Sequence, residues 1–208
     1  MDIGNKGNIE DSTERKILEA SKRIFQRKGM YGARMQEIAD EAGINKALLH
    51  YYFRSKDKLF DAVFQDAAKS FFSKIRELIN VDKPLFEKIE YFVEQYLELL
   101  MKNTYIPVFI ISEVHQNPER IQNIFLGSGV NPGLVFSNEV NAAAAAGIIH
   151  PIDSKQLIIN IVGLCVFPIA ARPIIKTILN QSDDEFLNFI EVRKKELANF
   201  IINAIKVH

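Results

Sequence analysis

The residue types that carry most reaction chemistry are scattered in this chain of 208 residues. Its four histidines (His50, His115, His150 and His208) and its single cysteine, Cys165, share none of the short spacings by which a chain wraps a metal ion. No glycine-rich phosphate loop, nucleophile elbow or paired-carboxylate motif is present. An enzyme is therefore the weaker class, and no cofactor and no catalytic residue is expected. Hydrogen-bond donors do concentrate, in one short stretch: Asn45, Lys46, His50, Tyr51, Tyr52 and Lys56, with Arg34 and Gln36 just before it. Cationic side chains suit phosphate oxygens or a guanine edge, tyrosine hydroxyls donate to phosphate, and the interleaved Leu48 can touch a thymine methyl.

Such donors act only if helices hold them on one surface, and the flanking pattern is helical. Ile17, Ala20, Ser21, Ile24 and Phe25 recur on one face of a helix expected over 13–28, with Asp11, Ser12 or Thr13 as its cap and Gly29 as its stop. A second helix follows from Met35 to Ala42 and ends at Gly43. Asn45 caps a third, Lys46 to Phe53, whose Leu49 and Phe53 turn inward. Ser55 begins a long helix to about Ile79, and Pro84 opens another to about 103. Pro107, Pro118, Pro132 and Pro151 each sit near an expected helix start, and Ser182 with Glu185 forms a capping box for a last helix over 183–206. A helix from about Ser154 to Leu179 is expected to kink at Pro168 and Pro173. The alanine run Ala142 to Ala146 ahead of Gly147 reads as a helix end. No strand pattern competes, so the fold class is all-α, with about nine helices.

Composition agrees with a folded chain: 48% of residues are hydrophobic and 25% charged. The 26 Lys+Arg and 26 Asp+Glu cancel overall. Within residues 1–60, however, 12 basic and 9 acidic side chains leave +3, and the remainder carries −3. The longest apolar stretch, Leu157 to Ala171, falls short of the roughly 20 residues that a membrane span needs. The first residues lack the apolar core of a secretory signal, and one cysteine forms no internal disulfide. The expectation is a cytoplasmic protein with no membrane partner.

Two short helices joined by a glycine-containing turn, the second polar on one side, fit a DNA-binding helix-turn-helix. The stretch resembles the TetR family of bacterial transcriptional regulators through Ile38-Ala39, Ala42-Gly43-Ile44-Asn45, Leu49-His50-Tyr51-Tyr52-Phe53 and Ser55-Lys56-Asp57-Lys58-Leu59, within a likeness that spans about residues 13–64. The chain departs from the family pattern at Arg34, where a Thr or Ser cap is usual, at Ala47 and Leu48 early in the recognition helix, and at His50 and Tyr52, which exchange the usual Tyr and His. The resemblance implies DNA contacts from Arg34, Gln36, Asn45, Lys46, Ala47, Leu48, His50, Tyr51, Tyr52 and Lys56. It implies three parts: a flexible arm over 1–12, a DNA-binding domain over 13–58, and a ligand-binding and dimerisation domain over 59–208.

The family encloses its ligand between the middle helices of the second domain, and binding there moves the fourth helix. On that footing Phe92, Tyr96, Phe109, Glu113, Phe125, Cys165 and Phe167 are expected around a small apolar or aromatic effector, although a helical core needs aromatic side chains for packing alone. A homodimer on a palindromic double-stranded operator, acting as a repressor, is implied as well. The Phe167-Pro168 to Arg172-Pro173 stretch looks like the eighth helix of many members, and Ile169, Ile174, Phe189, Leu197, Phe200 and Ile201 are expected at the dimer interface. A helical adaptor that grips protein with the same motif remains the other non-enzymatic alternative.

Overall fold

The computed structural model describes residues 6–116 and 132–207. Among them are ten helices and no strand: α1 Lys6–Gly32, α2 Met35–Ala42, α3 Lys46–Tyr52, α4 Lys56–Ile79, α5 Leu85–Lys102, α6 Ile106–Gln116, α7 Pro132–Ala145, α8 Ser154–Ala170, α9 Arg172–Ile178 and α10 Asp183–Ile205. The all-α class follows directly. The chain divides into two compact units, residues 1–69 and 70–208, with the division inside α4.

Unit 1 is built by side chains that the helical spacing had marked. Ile17, Ala20, Ser21, Ile24 and Phe25 of α1 are all buried, and Ile38, Ala39, Leu49, Leu59 and Phe64 close the same core. Phe25 meets the edge of Phe60 with ring centroids 5.2 Å apart, a geometry that the aromatic quadrupole favours. The first helix begins at Lys6, seven residues before the expected start, so Asp11, Ser12 and Thr13 lie inside it instead of capping it. Gly29 interrupts α1 with φ 66° and ψ 176°, after which helical turns resume as far as Gly32.

The turn between α2 and α3 is fixed by backbone chemistry. Gly43 adopts φ 69°, ψ 31°, and the amides of Gly43 and Ile44 donate to the carbonyls of Asp40 and Ala39 at 3.1 and 3.0 Å. This paired closure satisfies carbonyls that a helix end otherwise leaves unpaired. Asn45 then starts α3, its Oδ1 accepting from the Leu48 amide at 2.8 Å. Three ion pairs lace α1 to α2: Arg23 and Arg27 on Glu41, and Lys28 on Glu37. They are largely solvent-exposed, and such pairs each add little; the Glu41 carboxyl is held below its usual range by the Arg23 and Arg27 hydrogen bonds.

Unit 2 centres on α5, which packs on α10, α8 and α7. Helix ends follow their caps: Asp153 accepts from the Lys155 amide, and the Ser182–Glu185 capping box is complete. The alanine run ends α7, where Gly147 takes φ 70° and the Ile148 amide returns to the Ala143 carbonyl at 3.0 Å. One expectation needs correction. Residues 154–179 form two helices, not a single kinked one, bent by 79° at Ala171. Pro173 occupies the first turn of α9 and lacks the N–H that would continue the ladder from α8. Pro168, by contrast, lies within α8. It cannot donate to the Leu164 carbonyl four residues back, and Arg193 of α10 supplies that bond instead, Nη2 to oxygen at 3.0 Å. Among the described residues no single helix is long and apolar enough to cross a membrane.

The Gly43 geometry makes a stability prediction. Gly43→Val should lower the stability of unit 1 by about 1–2 kcal/mol, because a β-branched residue pays for left-handed backbone. Thermal unfolding followed by circular dichroism checks it, and an unchanged midpoint would mean that the turn does not need its glycine.

Candidate nucleic-acid interface and ligand cavity

The α3 helix is too short to hold itself in water, so its position is set by the few side chains it buries. Leu49 is fully buried and Phe53, just past the C-terminus, nearly so. With those two residues inward, Lys46, Ala47, Leu48, His50 and Tyr51 all lie exposed, Tyr51 at 74%. Tyr52 is half-buried and meets Tyr51 edge-on, with centroids 5.5 Å apart. Two of the expected contact residues are already engaged. Asn45 uses its carbonyl oxygen as the α3 cap, and Gln36 donates to Asp40 one turn along α2 at 2.8 Å. Arg34 stands at the head of α2 with extended backbone and an exposed side chain, and, after the larger effect of the Lys28 hydrogen bond, its charge helps to hold the Glu37 carboxyl below its usual range.

Lys56 does something the sequence did not signal. Its Nζ donates to the Ala33 carbonyl at 3.2 Å and lies 3.5 Å from the Tyr31 carbonyl. It thereby ties the start of α4 to the turn that leads into α2. Tyr31, which the spacing gave no reason to single out, is among the most exposed aromatic residues of unit 1.

Unit 2 contains a cavity of about 580 Å³, within the range of small-molecule sites. Its walls come from the α4 segment beyond residue 70, α5, α6, α7 and α8. Phe71 and Phe72, Phe92 and Tyr96, and Ile110 and Phe136 supply much of the surface, and the Phe71, Phe92 and Tyr96 rings are in contact. Among the described lining residues Lys88 carries the sole charge. The Lys88 side chain is 6% exposed and is held by Glu139 of α7, with Nζ to Oε1 2.6 Å and to Oε2 2.8 Å. Burial pushes the Tyr96 phenol above its ordinary value, with a smaller contribution from Cys165.

Of the residues expected around a ligand, Phe92 and Tyr96 line this cavity, whereas Phe109, Cys165 and Phe167 do not. Phe109 of α6 lies near Tyr105, which precedes that helix, with ring centroids 6.5 Å apart. Phe167 is 60% exposed, on another side of α8 from Val162 and Val166. Cys165 is fully buried, and desolvation pushes its thiol up to about 12. Phe125 lies outside the described residues, as do the side chains of Glu113 and His115. The isoleucines of α8 and Lys88 were not singled out: isoleucine at helical spacing is indistinguishable from core, and a lysine in an amphipathic helix reads as a solvated charge.

The expected interface residues also divide. Ile169 of α8 and Leu197 and Ile201 of α10 are buried within the chain and so belong to its own core. Phe189 is half-buried against Phe186. Ile174 is 60% and Phe200 65% exposed, and Ile178 and Val192 join them as apolar side chains open on α9 and α10. Among the described residues no group of His, Cys, Asp and Glu is arranged to hold a metal ion.

Residues 17–63 match the family model described as bacterial regulatory proteins, tetR family. The transcriptional repressor NicS of Pseudomonas putida is 26% identical over 200 residues, covering 90% of this chain and 92% of that protein. The transcriptional activator FasR of Mycolicibacterium smegmatis is 31% identical over 100 residues, 47% of this chain and 46% of its own length. Among solved structures, the regulator FadR from Bacillus subtilis in complex with stearoyl-CoA superposes with a TM-score of 0.64 at 16% identity, over 93% of this chain and 99% of that one. At that identity the likeness is one of fold.

The burial of Cys165 yields a chemical prediction. Iodoacetamide at pH 8 should leave the native thiol unmodified, since only thiolate reacts, and label it fully in denaturant. Rapid labelling of the native protein, read by intact mass, would contradict the burial.

Proposed function

The chain belongs to the TetR family of bacterial transcriptional regulators, and we propose that it represses transcription as a homodimer on a palindromic operator, released by a small apolar or aromatic effector. It is a regulator and not an enzyme, as are the relatives named above. The observation that carries the reading is the one-sided α3: Leu49 holds it inward while Lys46, Ala47, Leu48, His50 and Tyr51 face outward together. Such a helix lays its outer side chains against base edges in the major groove, with Arg34 at the head of α2 on a flanking phosphate. Residues 13–58 act in this reading as the DNA-binding part, 59–208 as the effector and dimer part, and 1–12 as an arm; the protein works in the cytoplasm.

The effector occupies the unit 2 cavity, whose hydrocarbon walls favour an apolar compound. That the FadR neighbour was solved with stearoyl-CoA supports an apolar chain as one form of it. Effector uptake displaces α4 and changes the separation of the two recognition helices, which must match one DNA turn of about 34–36 Å. The dimer buries the exposed apolar side chains of α9 and α10, since a lone chain rarely leaves so many open to water.

Selection from random duplex DNA at near-physiological salt should enrich a palindrome. Lys46→Ala and Tyr51→Ala should each weaken binding to it by about 1–3 kcal/mol, with the oligomeric state unchanged; full affinity in both variants would remove α3 from the interface. The dimer reading is checked separately. Phe200→Asp with Ile174→Asp should give monomers by sedimentation while helix content is retained, because neither side chain belongs to the core. A dimer that survives both substitutions uses another surface.

A further inference from the structure

The cavity of unit 2 is lined by hydrocarbon, and yet among its described lining residues is a buried lysine, Lys88. A charge withdrawn from water needs a partner, and Glu139 is the one it has, both oxygens within 2.8 Å of Nζ. The two partners are unlike in their surroundings. The Lys88 side chain, on α5, is 6% exposed, whereas that of Glu139, on α7, is 36% exposed. Glu139 can therefore swing out and be solvated, and Lys88 cannot. Residues on both sides of this pair already line the cavity: Ile89 and Phe92 on α5, Phe136 and Gly133 on α7.

We propose that the cavity binds an apolar monocarboxylic acid whose carboxylate takes the Lys88 ammonium and displaces Glu139 into solvent. One carboxylate replaces another at Nζ, so the buried charge stays compensated and its hydrogen bonds are conserved, while the apolar body of the ligand covers the surrounding phenylalanine and isoleucine side chains. A neutral ester of the same body gains the hydrocarbon contact and cannot make the exchange. This assignment rests on the apolar-effector reading above and adds to it the charge of the head group. It also makes α7 the helix that senses the ligand, because Glu139 loses its partner when the acid binds.

The test is isothermal titration of the full-length protein with dodecanoate, below its micelle concentration, against methyl dodecanoate. In the native protein the acid should bind more tightly than the ester. Glu139→Gln removes the competitor and should tighten the acid about tenfold while leaving the ester unchanged. Lys88→Met fills the same space without charge and should weaken the acid at least tenfold, erasing its preference over the ester. Because Glu139→Gln leaves a buried charge less well compensated, dodecanoate should also raise the melting temperature of that variant more than that of the native chain, a response that a purely structural ion pair would not give. Equal binding of acid and ester in all three proteins overturns the head-group assignment and leaves the apolar cavity standing. Failure of both compounds to bind any of the three overturns the assignment together with the apolar-effector reading.

Discussion

Unit 2 depends on one helix that must be apolar over about half of its circumference. Val93, Leu97 and Leu100 of α5 fall on one face and are buried in the core, while Lys88, Phe92 and Tyr96 fall on the adjoining face and border the cavity. Packing that filled both faces would leave a solid bundle, since protein interiors close to crystal-like density wherever side chains allow. The hole persists between helices whose facing residues are large and few in polar groups, and the Lys88–Glu139 ion pair ties α5 to α7 at its edge. Removing either partner leaves the other short of compensation, so the pair constrains the wall as much as it marks a site.

The handling of α8 shows a second constraint. A proline within a helix frees the carbonyl four residues before it, and a buried carbonyl without a donor is costly. Here Arg193 reaches across from α10 to the Leu164 carbonyl, half-buried, with its guanidinium 6.0 Å from the Phe189 ring. Leu164 sits between Gly163 and Val166, both on the cavity wall. One arginine thus links the helix that carries exposed Phe200 to the segment that borders the cavity, and Pro168 is tolerated because of it. The bend comes three residues later, at Ala171, where Pro173 offers no donor to continue the ladder.

Unit 1 reaches a defined recognition surface with little material. Its core is a handful of aliphatic and aromatic side chains, its turn is one left-handed glycine, and its caps are single hydrogen bonds. The exposed ion pairs between α1 and α2 contribute modestly and are weakened by salt. Lys56 matters differently: by donating to backbone carbonyls before α2 it fixes the approach to the helix-turn-helix, so its charge is already engaged on the protein's own carbonyls.

What the sequence determined by itself was local. The spacing of Ile17, Ala20, Ile24 and Phe25, the left-handed glycine after Ala42, the Asn45 cap and the Ser182–Glu185 box all depend on residues within a few positions of each other, and each is found where the pattern put it. The start of α1 was misjudged because a capping residue is compatible with a helix interior when the preceding residues also wind. The tertiary structure alone decided what α10 buries. Leu197, Phe200 and Ile201 are neighbours in sequence and equally apolar, and only the packing of α5 against α10 makes the first and third core and leaves the second open. The same holds for Lys88, whose burial depends on Glu139, 51 residues away along the chain. Periodicity states which residues share a face, and the partner that covers the face comes from a distant part of the chain that no local pattern encodes.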